Sequence, residues 1–205
     1  PDKDYEVVVF GNRAPSLTTP KGNFKLAQIT SLTTPDVDAA GACEVVCYTS
    51  DHSSSFAKLS EKQIRAVLEA WKDRDNALSK LPFIEQVFIF ENRGEEVGVT
   101  LSHPHGQIYA YSFLPPKIEK MLQVANDHLA KTGKVLLDEV IKREIKDEKR
   151  IISQNGEWIA YVPYAARYPF EIHIAPLRGV SNMSGLDENQ SAAFPPIAKE
   201  VLTRL

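Results

Sequence analysis

Short runs of β-branched and aromatic residues, each bounded by polar or turn-forming residues, predict six β-strands in this chain. Four of them lie before residue 116 and two lie after residue 150. This grouping predicts two antiparallel sheets. The predicted strands are 5–10, 44–48, 87–91, 107–113, 158–162 and 170–175.

Apolar residues that recur every three or four positions predict helices between the strands. Ser60 and Gln63 form the S-x-x-Q pattern of a capping box, which places a helix start there. A further helical run closes the chain. We expect Pro195 and Pro196 to break or restart it, because proline lacks the backbone N–H that a helix interior needs. The other predicted helices are 60–80, 117–131 and 134–146.

The second part of the chain repeats the first at an offset of 127 positions, strand over strand and helix start over helix start. This repetition predicts a duplicated unit. The counterpart of 103–107 would fall near residue 230, beyond Leu205, so we expect the second copy to be incomplete. The identical pairs are Glu44 and Glu171, Ser54 and Ser181, Leu59 and Leu186, Glu61 and Glu188, Gln63 and Gln190, and Ala66 and Ala193.

The composition argues against a nucleic-acid-binding, a membrane-spanning or a disulfide-rich protein. The chain has 205 residues, of which 43% are apolar, and a net charge of −3, so it can build a core and shows no basic excess for nucleic acid. No apolar run approaches the length of about 18 residues that a membrane span requires. Two cysteines, Cys43 and Cys47, are too few for a disulfide framework. We therefore expect a soluble, cytoplasmic protein with reduced thiols.

The segment Ser102-His103-Pro104-His105-Gly106-Gln107 carries the candidate chemistry. Alternate side chains of an extended backbone share one face, which would aim two imidazoles and one amide at the same place. The proline predicts a strand entry, an edge or a bulge, since it cannot donate to the ladder. On spacing alone, the two histidines could be a metal pair or ordinary surface residues.

This segment resembles the galactose-1-phosphate uridylyltransferase branch of the histidine-triad superfamily. The resemblance implies an α+β fold of duplicated histidine-triad-like antiparallel sheets with flanking helices. On that basis we expect an N-terminal half at 1–116, a helical connection at 117–150 and a partial second half at 151–205. The residues that carry the resemblance are Phe90 to Gly94 (FENRG), His103 to Gln107 (HPHGQ), Ser112 to Pro115 (SFLP), Asp51 to Ser53 (DHS) and Val162 to Tyr164 (VPY).

The family resemblance implies a UDP-glucose—hexose-1-phosphate uridylyltransferase. His105 would attack the α-phosphorus of UDP-glucose and form a uridylyl-histidine, from which galactose 1-phosphate takes the nucleotide in ping-pong fashion. Gln107 would hold the phosphoryl oxygens. It stands where hydrolytic relatives have a third histidine that would carry a proton; an amide cannot do so, and transfer is therefore favoured over hydrolysis.

The resemblance also implies ligand contacts. Asn12 and Asn92 match positions that hold the nucleotide, and Thr100 matches a residue that contacts phosphate. His52 and His103 match two of the four ligands of a structural zinc. We predict no iron-type second metal site, because Met121 stands at the position of its glutamate. The expected partners are a UDP-sugar, a sugar 1-phosphate and a second copy in a homodimer, with neither nucleic acid nor membrane.

Two alternatives stay open. Arg13-Ala14 replaces the Asp-Phe that commonly follows the Asn12 position, which leaves room for an ADP-sugar phosphorylase or adenylyltransferase that uses the same histidine. The incomplete second half leaves room for a non-catalytic nucleotide-binding subunit. The intact HPHGQ segment argues against that second alternative, because a scaffold has no chemical need for it.

Overall fold

The computed structural model describes residues 4–20, 39–97, 99 and 101–205. They form an α+β fold with two antiparallel sheets and four α-helices in the described part of the chain, as predicted. The chain divides into two compact units, one built from 1–54 and 70–115 and the other from 55–69 and 116–205. The predicted division at residues 116 and 150 stays a prediction.

The first unit contains a four-stranded sheet in the order β1-β2-β4-β3. Val46 and Ile108, from the two central strands, are fully buried in its core. The Arg74 guanidinium donates to both carboxylate oxygens of Glu44 at 2.8 and 2.7 Å, which ties a helix to the sheet. The strands are β1 (Val8–Gly11), β2 (Gly41–Cys47), β3 (Gln86–Phe90) and β4 (His105–Tyr111). The helix is α1 (Glu61–Leu78), of which residues 70–78 belong to this unit.

The second unit contains a three-stranded sheet in the order β5-β6-β7. Its central strand is buried along its whole length, and Ile159 packs there with Ile141 and Tyr161. The first strand of this sheet is not among the predicted strands, because its apolar residues are followed directly by polar ones. The elements are α2 (Pro116–Thr132), α3 (Leu136–Asp147), β5 (Ile151–Gln154), β6 (Trp158–Tyr161), β7 (His173–Pro176) and α4 (Glu188–Arg204).

The prediction that the proline pair breaks the last helix is wrong, since α4 runs through both prolines. Proline fixes φ near the helical value, so the cost is the lost hydrogen bonds and crowding of the preceding turn. Ile197 and Val201, which follow the pair, are buried, as is Pro195 itself. Their burial offsets that cost.

Both helix starts predicted from the repeat are present. Ser60 Oγ accepts from the Gln63 backbone N–H at 3.2 Å, and the Gln63 side chain accepts from the Ser60 backbone N–H at 3.0 Å. Asp187 and Gln190 make the same reciprocal pair at the start of α4. The short 3₁₀ turns Phe56–Lys58 and Met183–Gly185 precede the two helices at the same 127-residue offset. The offset therefore relates local structure as well as sequence.

Within the described part of the chain, none of the helices combines the length and the apolar character that crossing a membrane requires. Cys43 and Cys47 are both free thiols, in keeping with the prediction of reduced cysteines.

Candidate active site

The strand β4 presents His105 and Gln107 on one face of the first sheet. Its burial alternates along the strand, so that Gly106 and Ile108 face the covered side while His105 and Gln107 lie on the partly open side. The strand begins directly after Pro104, which confirms the predicted strand entry. His103 lies before the strand, and its side chain has separate partners.

The strand register surrounds Gln107 with apolar side chains. Gln107 lies opposite Val45 on one side and Phe90 on the other, and Val45 in turn lies opposite Phe10 of β1. The Phe10 side chain is 44% exposed, so this row ends in an open aromatic surface. The face therefore offers a polar end at His105 and an apolar platform beside it.

A single hydrogen bond fixes the orientation of the His105 ring. Its Nδ1 lies 2.7 Å from the carbonyl oxygen of His103. A carbonyl oxygen can only accept, so Nδ1 carries the proton in the neutral ring. The Nε2 atom is left with its lone pair, which makes it the nucleophilic atom of the ring.

Gly106 is required by what lies behind the sheet. A Cβ built on Gly106 would stand 2.0 Å from the Tyr48 hydroxyl oxygen and 2.9 Å from the Phe90 carbonyl oxygen. Tyr48 is buried, and its ring meets Trp71 of α1 edge to face, with centroids 6.2 Å apart. Any residue larger than glycine between His105 and Gln107 would therefore displace Tyr48 or the Phe90 backbone.

Three side chains meet beside the HPH segment. The Nδ1 atoms of His103 and His52 lie 3.0 Å apart, and the Nε2 of His103 lies 3.0 Å from the Tyr5 hydroxyl. The Asp51 carboxylate accepts from the Ser53 backbone N–H at 2.8 Å, so the turn that carries His52 is closed locally. Burial lowers the pKa of His103, and the neighbouring His52 lowers it further. Both effects favour the neutral form of the His103 ring.

The His52–His103 pair fits half of a zinc site. Two nitrogens bound to one tetrahedral zinc at 2.0–2.1 Å stand about 3.3 Å apart, close to the separation of the two Nδ1 atoms. In the described residues, no group of three or more His, Cys, Asp or Glu side chains could hold a metal ion. The described part of the chain thus supplies two convergent donors of the four that structural zinc takes.

Two of the predicted nucleotide-binding residues lie just beyond the two edge strands of the first sheet, β1 and β3. Asn12 follows β1, and its backbone N–H donates to the Cys43 carbonyl at 2.9 Å, which continues the β1–β2 pairing. Its side-chain oxygen accepts from the Ala14 backbone N–H at 3.0 Å, so its amide NH₂ is available as a donor. Asn92 is exposed just beyond β3. Thr100 lies outside the described residues.

Glu91 adds a charged group next to the site. Surrounding protein atoms raise the pKa of the Glu91 carboxyl, although solvent still reaches the side chain, while Arg93 and His105 lower it. Burial also raises the pKa of Tyr48, and Glu91 raises it further. The hydroxyl of Tyr48 therefore stays protonated and acts only as a neutral hydrogen-bonding group.

The fold and the site place the chain among α+β proteins whose antiparallel sheet presents a histidine and a glutamine side by side on an open face. Within that class, residues 1–115 match the family described as galactose-1-phosphate uridyl transferase, N-terminal domain, and the chain belongs to that family.

Similar proteins agree with this assignment. Over 204 residues the chain is 46% identical to the galactose-1-phosphate uridylyltransferase of Streptomyces lividans, covering 99% of this chain and 52% of that protein. It is 38% identical to the Thermotoga maritima enzyme of the same name, covering 98% and 62%. The chain thus spans about half to three fifths of the length of these relatives.

Solved structures show the same fold. A structure described as uridylyltransferase superposes with a TM-score of 0.86 at 30% identity, over 95% of this chain and 61% of that one. An ADP-glucose phosphorylase from Arabidopsis thaliana with bound ADP-glucose gives 0.82 at 26% identity, over 97% and 59%.

Two residues of this site are not among the predicted site residues. Tyr5 lies 98 positions from its partner His103, and Tyr48 lies behind the sheet rather than on its open face. Tyr5 stands in a run that reads simply as a strand, so no local signal marks it. The small residue between His105 and Gln107 was the available signal for Tyr48, because it indicates a close approach.

Proposed function

We propose that the chain carries the catalytic half of a UDP-glucose—hexose-1-phosphate uridylyltransferase, with His105 as nucleophile. The observation that supports this most strongly is the 2.7 Å contact between Nδ1 of His105 and the His103 carbonyl. It leaves Nε2 unprotonated on the open face of the sheet, next to an amide side chain. An imidazole at neutral pH is a competent nucleophile, since its ordinary pKa is about 6.5.

The first half-reaction balances without an outside proton. The Nε2 lone pair of His105 forms a bond to the α-phosphorus of UDP-glucose, and the bond from phosphorus to the oxygen of glucose 1-phosphate breaks. Glucose 1-phosphate leaves as a phosphate anion that needs no protonation. The ring becomes a cation that keeps its Nδ1 proton, and the His103 carbonyl stabilises this charge.

The second half-reaction reverses the first with another sugar. A phosphate oxygen of galactose 1-phosphate attacks phosphorus, the N–P bond breaks, and neutral His105 returns as UDP-galactose leaves. Gln107 donates from its amide to the phosphoryl oxygens, where charge shifts in the transition state. Asn12, Asn92 and Thr100 hold the nucleotide, and the base lies over the platform of Val45 and Phe10.

The proposed zinc would have a purely structural role. His52 and His103 would supply two of its ligands through their Nδ1 atoms. When bound, the ion would fix the segment that precedes His105 and would supply no chemistry to the transfer. The homodimer also remains a prediction, which a native mass measurement checks.

The first test is the intact mass of the protein after incubation with UDP-glucose. We expect the parent protein to gain one uridylyl group and His105→Ala to gain none. His173→Ala is the matched control, because His173 is likewise the first residue of a strand, and it should gain the group. An adduct on His105→Ala, or none on folded parent protein, would contradict the proposal.

The second candidate is an ADP-sugar phosphorylase or adenylyltransferase. The fold shared with the Arabidopsis ADP-glucose phosphorylase favours it, as does the Arg13-Ala14 pair beside Asn12. The same mass measurement with ADP-glucose separates the two, since an adenylyl group and a uridylyl group differ in mass. Binding of a nucleotide sugar with neither adduct would instead indicate the non-catalytic subunit.

A further inference from the structure

We propose that the Tyr5 hydroxyl is a positioning group for His105 and that it acts through His103. The role assigned to His105 rests on the proposed function, whereas the contacts among the three residues do not. Tyr5 precedes β1, far in sequence from the HPH segment, and still reaches the ring of His103.

The contact with Tyr5 is one of the hydrogen bonds that hold the His103 ring, which also interacts with the Thr49 backbone. Its Nε2 lies 3.0 Å from the Tyr5 hydroxyl, and its Nδ1 lies 3.0 Å from Nδ1 of His52. A neutral imidazole has one donor and one acceptor nitrogen, so both are now used. The ring is therefore held at two opposite points and cannot rotate without breaking a hydrogen bond.

A fixed His103 ring also fixes its own backbone. Side chain and carbonyl share one Cα, and the next residue, Pro104, has a locked φ angle. The His103 carbonyl is the acceptor that holds Nδ1 of His105 at 2.7 Å. Tyr5 thus holds the His103 ring, and the His103 carbonyl oxygen in turn determines which nitrogen of His105 is the nucleophile.

The surroundings of Tyr5 favour this role over simple packing. Its hydroxyl also makes a hydrogen bond with the thiol of Cys47, which lies opposite His105 in the β2–β4 register. The bond to Tyr5 acts to lower the pKa of the Cys47 thiol, so the hydroxyl donates to the sulfur. The hydroxyl oxygen then accepts from Nε2–H of His103, which leaves the Nδ1 lone pair of that ring toward His52. One hydroxyl therefore joins the start of β1, the end of β2 and the segment before β4.

The test compares Tyr5→Phe with Tyr168→Phe, a matched loss of one hydroxyl at a residue that is 70% exposed. Nitrogen-15 spectra of the histidine rings report which ring nitrogen of His105 is protonated. We expect Nδ1–H in the parent protein and in Tyr168→Phe. Tyr5→Phe keeps the aromatic ring and its packing, and it should show a mixture of the two tautomers.

A second readout addresses His103 directly. Diethyl pyrocarbonate acylates unprotonated imidazole nitrogen, and peptide masses give a rate for each histidine. Because Tyr5→Phe frees one nitrogen of His103, we expect that residue to react about threefold to tenfold faster, the range that one hydrogen bond supports. An unchanged His105 tautomer, or an unchanged His103 rate, would overturn the proposal.

The kinetic readout separates this inference from the proposed function. Tyr5→Phe should slow uridylylation of His105 at saturating UDP-glucose while leaving the half-saturating concentration unchanged, as expected for a residue that does not touch substrate. If the parent protein forms no adduct, the proposed function fails. The tautomer and acylation results still decide the role of Tyr5.

Discussion

Strand β4 is an inner strand of the first sheet and β6 is the central strand of the second, and the two differ in how fully they are buried. The strand β4 alternates between buried and partly exposed residues, so one face of its sheet is open, and that face holds His105 and Gln107. The strand β6 is buried at every position, with Ile159 and Ala160 fully inaccessible. One sheet can therefore present chemistry, and the other serves packing.

An open sheet face leaves apolar side chains partly exposed, and this lowers their contribution to the stability of the fold. The four-stranded sheet keeps Phe10 and Phe88 each 44% exposed, so part of its apolar surface contributes little to stability. The three-stranded sheet has fewer strands but buries both faces of its centre. We therefore expect substitutions on the open face of the first sheet to act mainly on function and those in the second sheet to act mainly on stability.

The largest expected effect on stability is that of Ile159→Ala. This side chain is fully buried among Ile141, Tyr161 and Ala175, and its loss should cost about 2–5 kcal/mol. Phe88→Ala, on the open face, should cost less than about 1 kcal/mol, since burial and not size sets the penalty. Denaturant unfolding of both variants checks this order, and a larger loss for Phe88→Ala would break the comparison.

A smaller effect is expected for Gly106→Ala. The new methyl group would meet the Tyr48 hydroxyl and the Phe90 carbonyl, and such overpacking costs about 1–3 kcal/mol. Gly156→Ala, in the turn between β5 and β6, is the control, because nothing lies within 4 Å of its added Cβ. Equal unfolding midpoints for the two variants would contradict this prediction, since they would show that Tyr48 and its neighbours move aside without loss of stability.

The smallest effect concerns pH. Surrounding atoms raise the pKa of Glu91 above 4.5, so the folded state disfavours its charge, and this cost appears as the pH rises through the raised pKa. The Arg167 backbone N–H, and after it His173, lower the pKa of Glu171. That stabilisation is present above pH 4.5 and is lost as the pH falls through the lowered pKa.

Substituting each glutamate by glutamine should therefore shift Tm in opposite directions at pH 7. We expect Glu91→Gln to raise Tm and Glu171→Gln to lower it. Thermal unfolding at pH 7 and pH 3 measures both changes. Shifts of the same sign at pH 7 would contradict the assigned directions.

The sequence could predict features that local chemistry determines. The capping pair Ser60 and Gln63, the helices on both sides of Gly133 and the strand entry after Pro104 each depend on a few adjacent residues, and all were found. The alternation that puts His105 and Gln107 on one face is equally local.

The rest depended on tertiary packing. Burial of Ile197 and Val201 carries α4 through its two prolines, which the local cost of proline could not reveal. The contact of Tyr5 with His103 joins residues from opposite ends of the first unit, and spacing alone cannot indicate it. Thr100 lies outside the described residues, so its contact with phosphate stays a prediction.

The close approach of Tyr48 to Gly106 has a consequence for sequence variation. Because a Cβ at position 106 would overlap the tyrosine hydroxyl, neither position is free to change alone toward larger side chains. A homologue or a selected library member with alanine at 106 should carry a compensating loss of the hydroxyl at 48. The two positions are therefore expected to vary together, although residue 106 lies in β4 and residue 48 is buried behind the sheet.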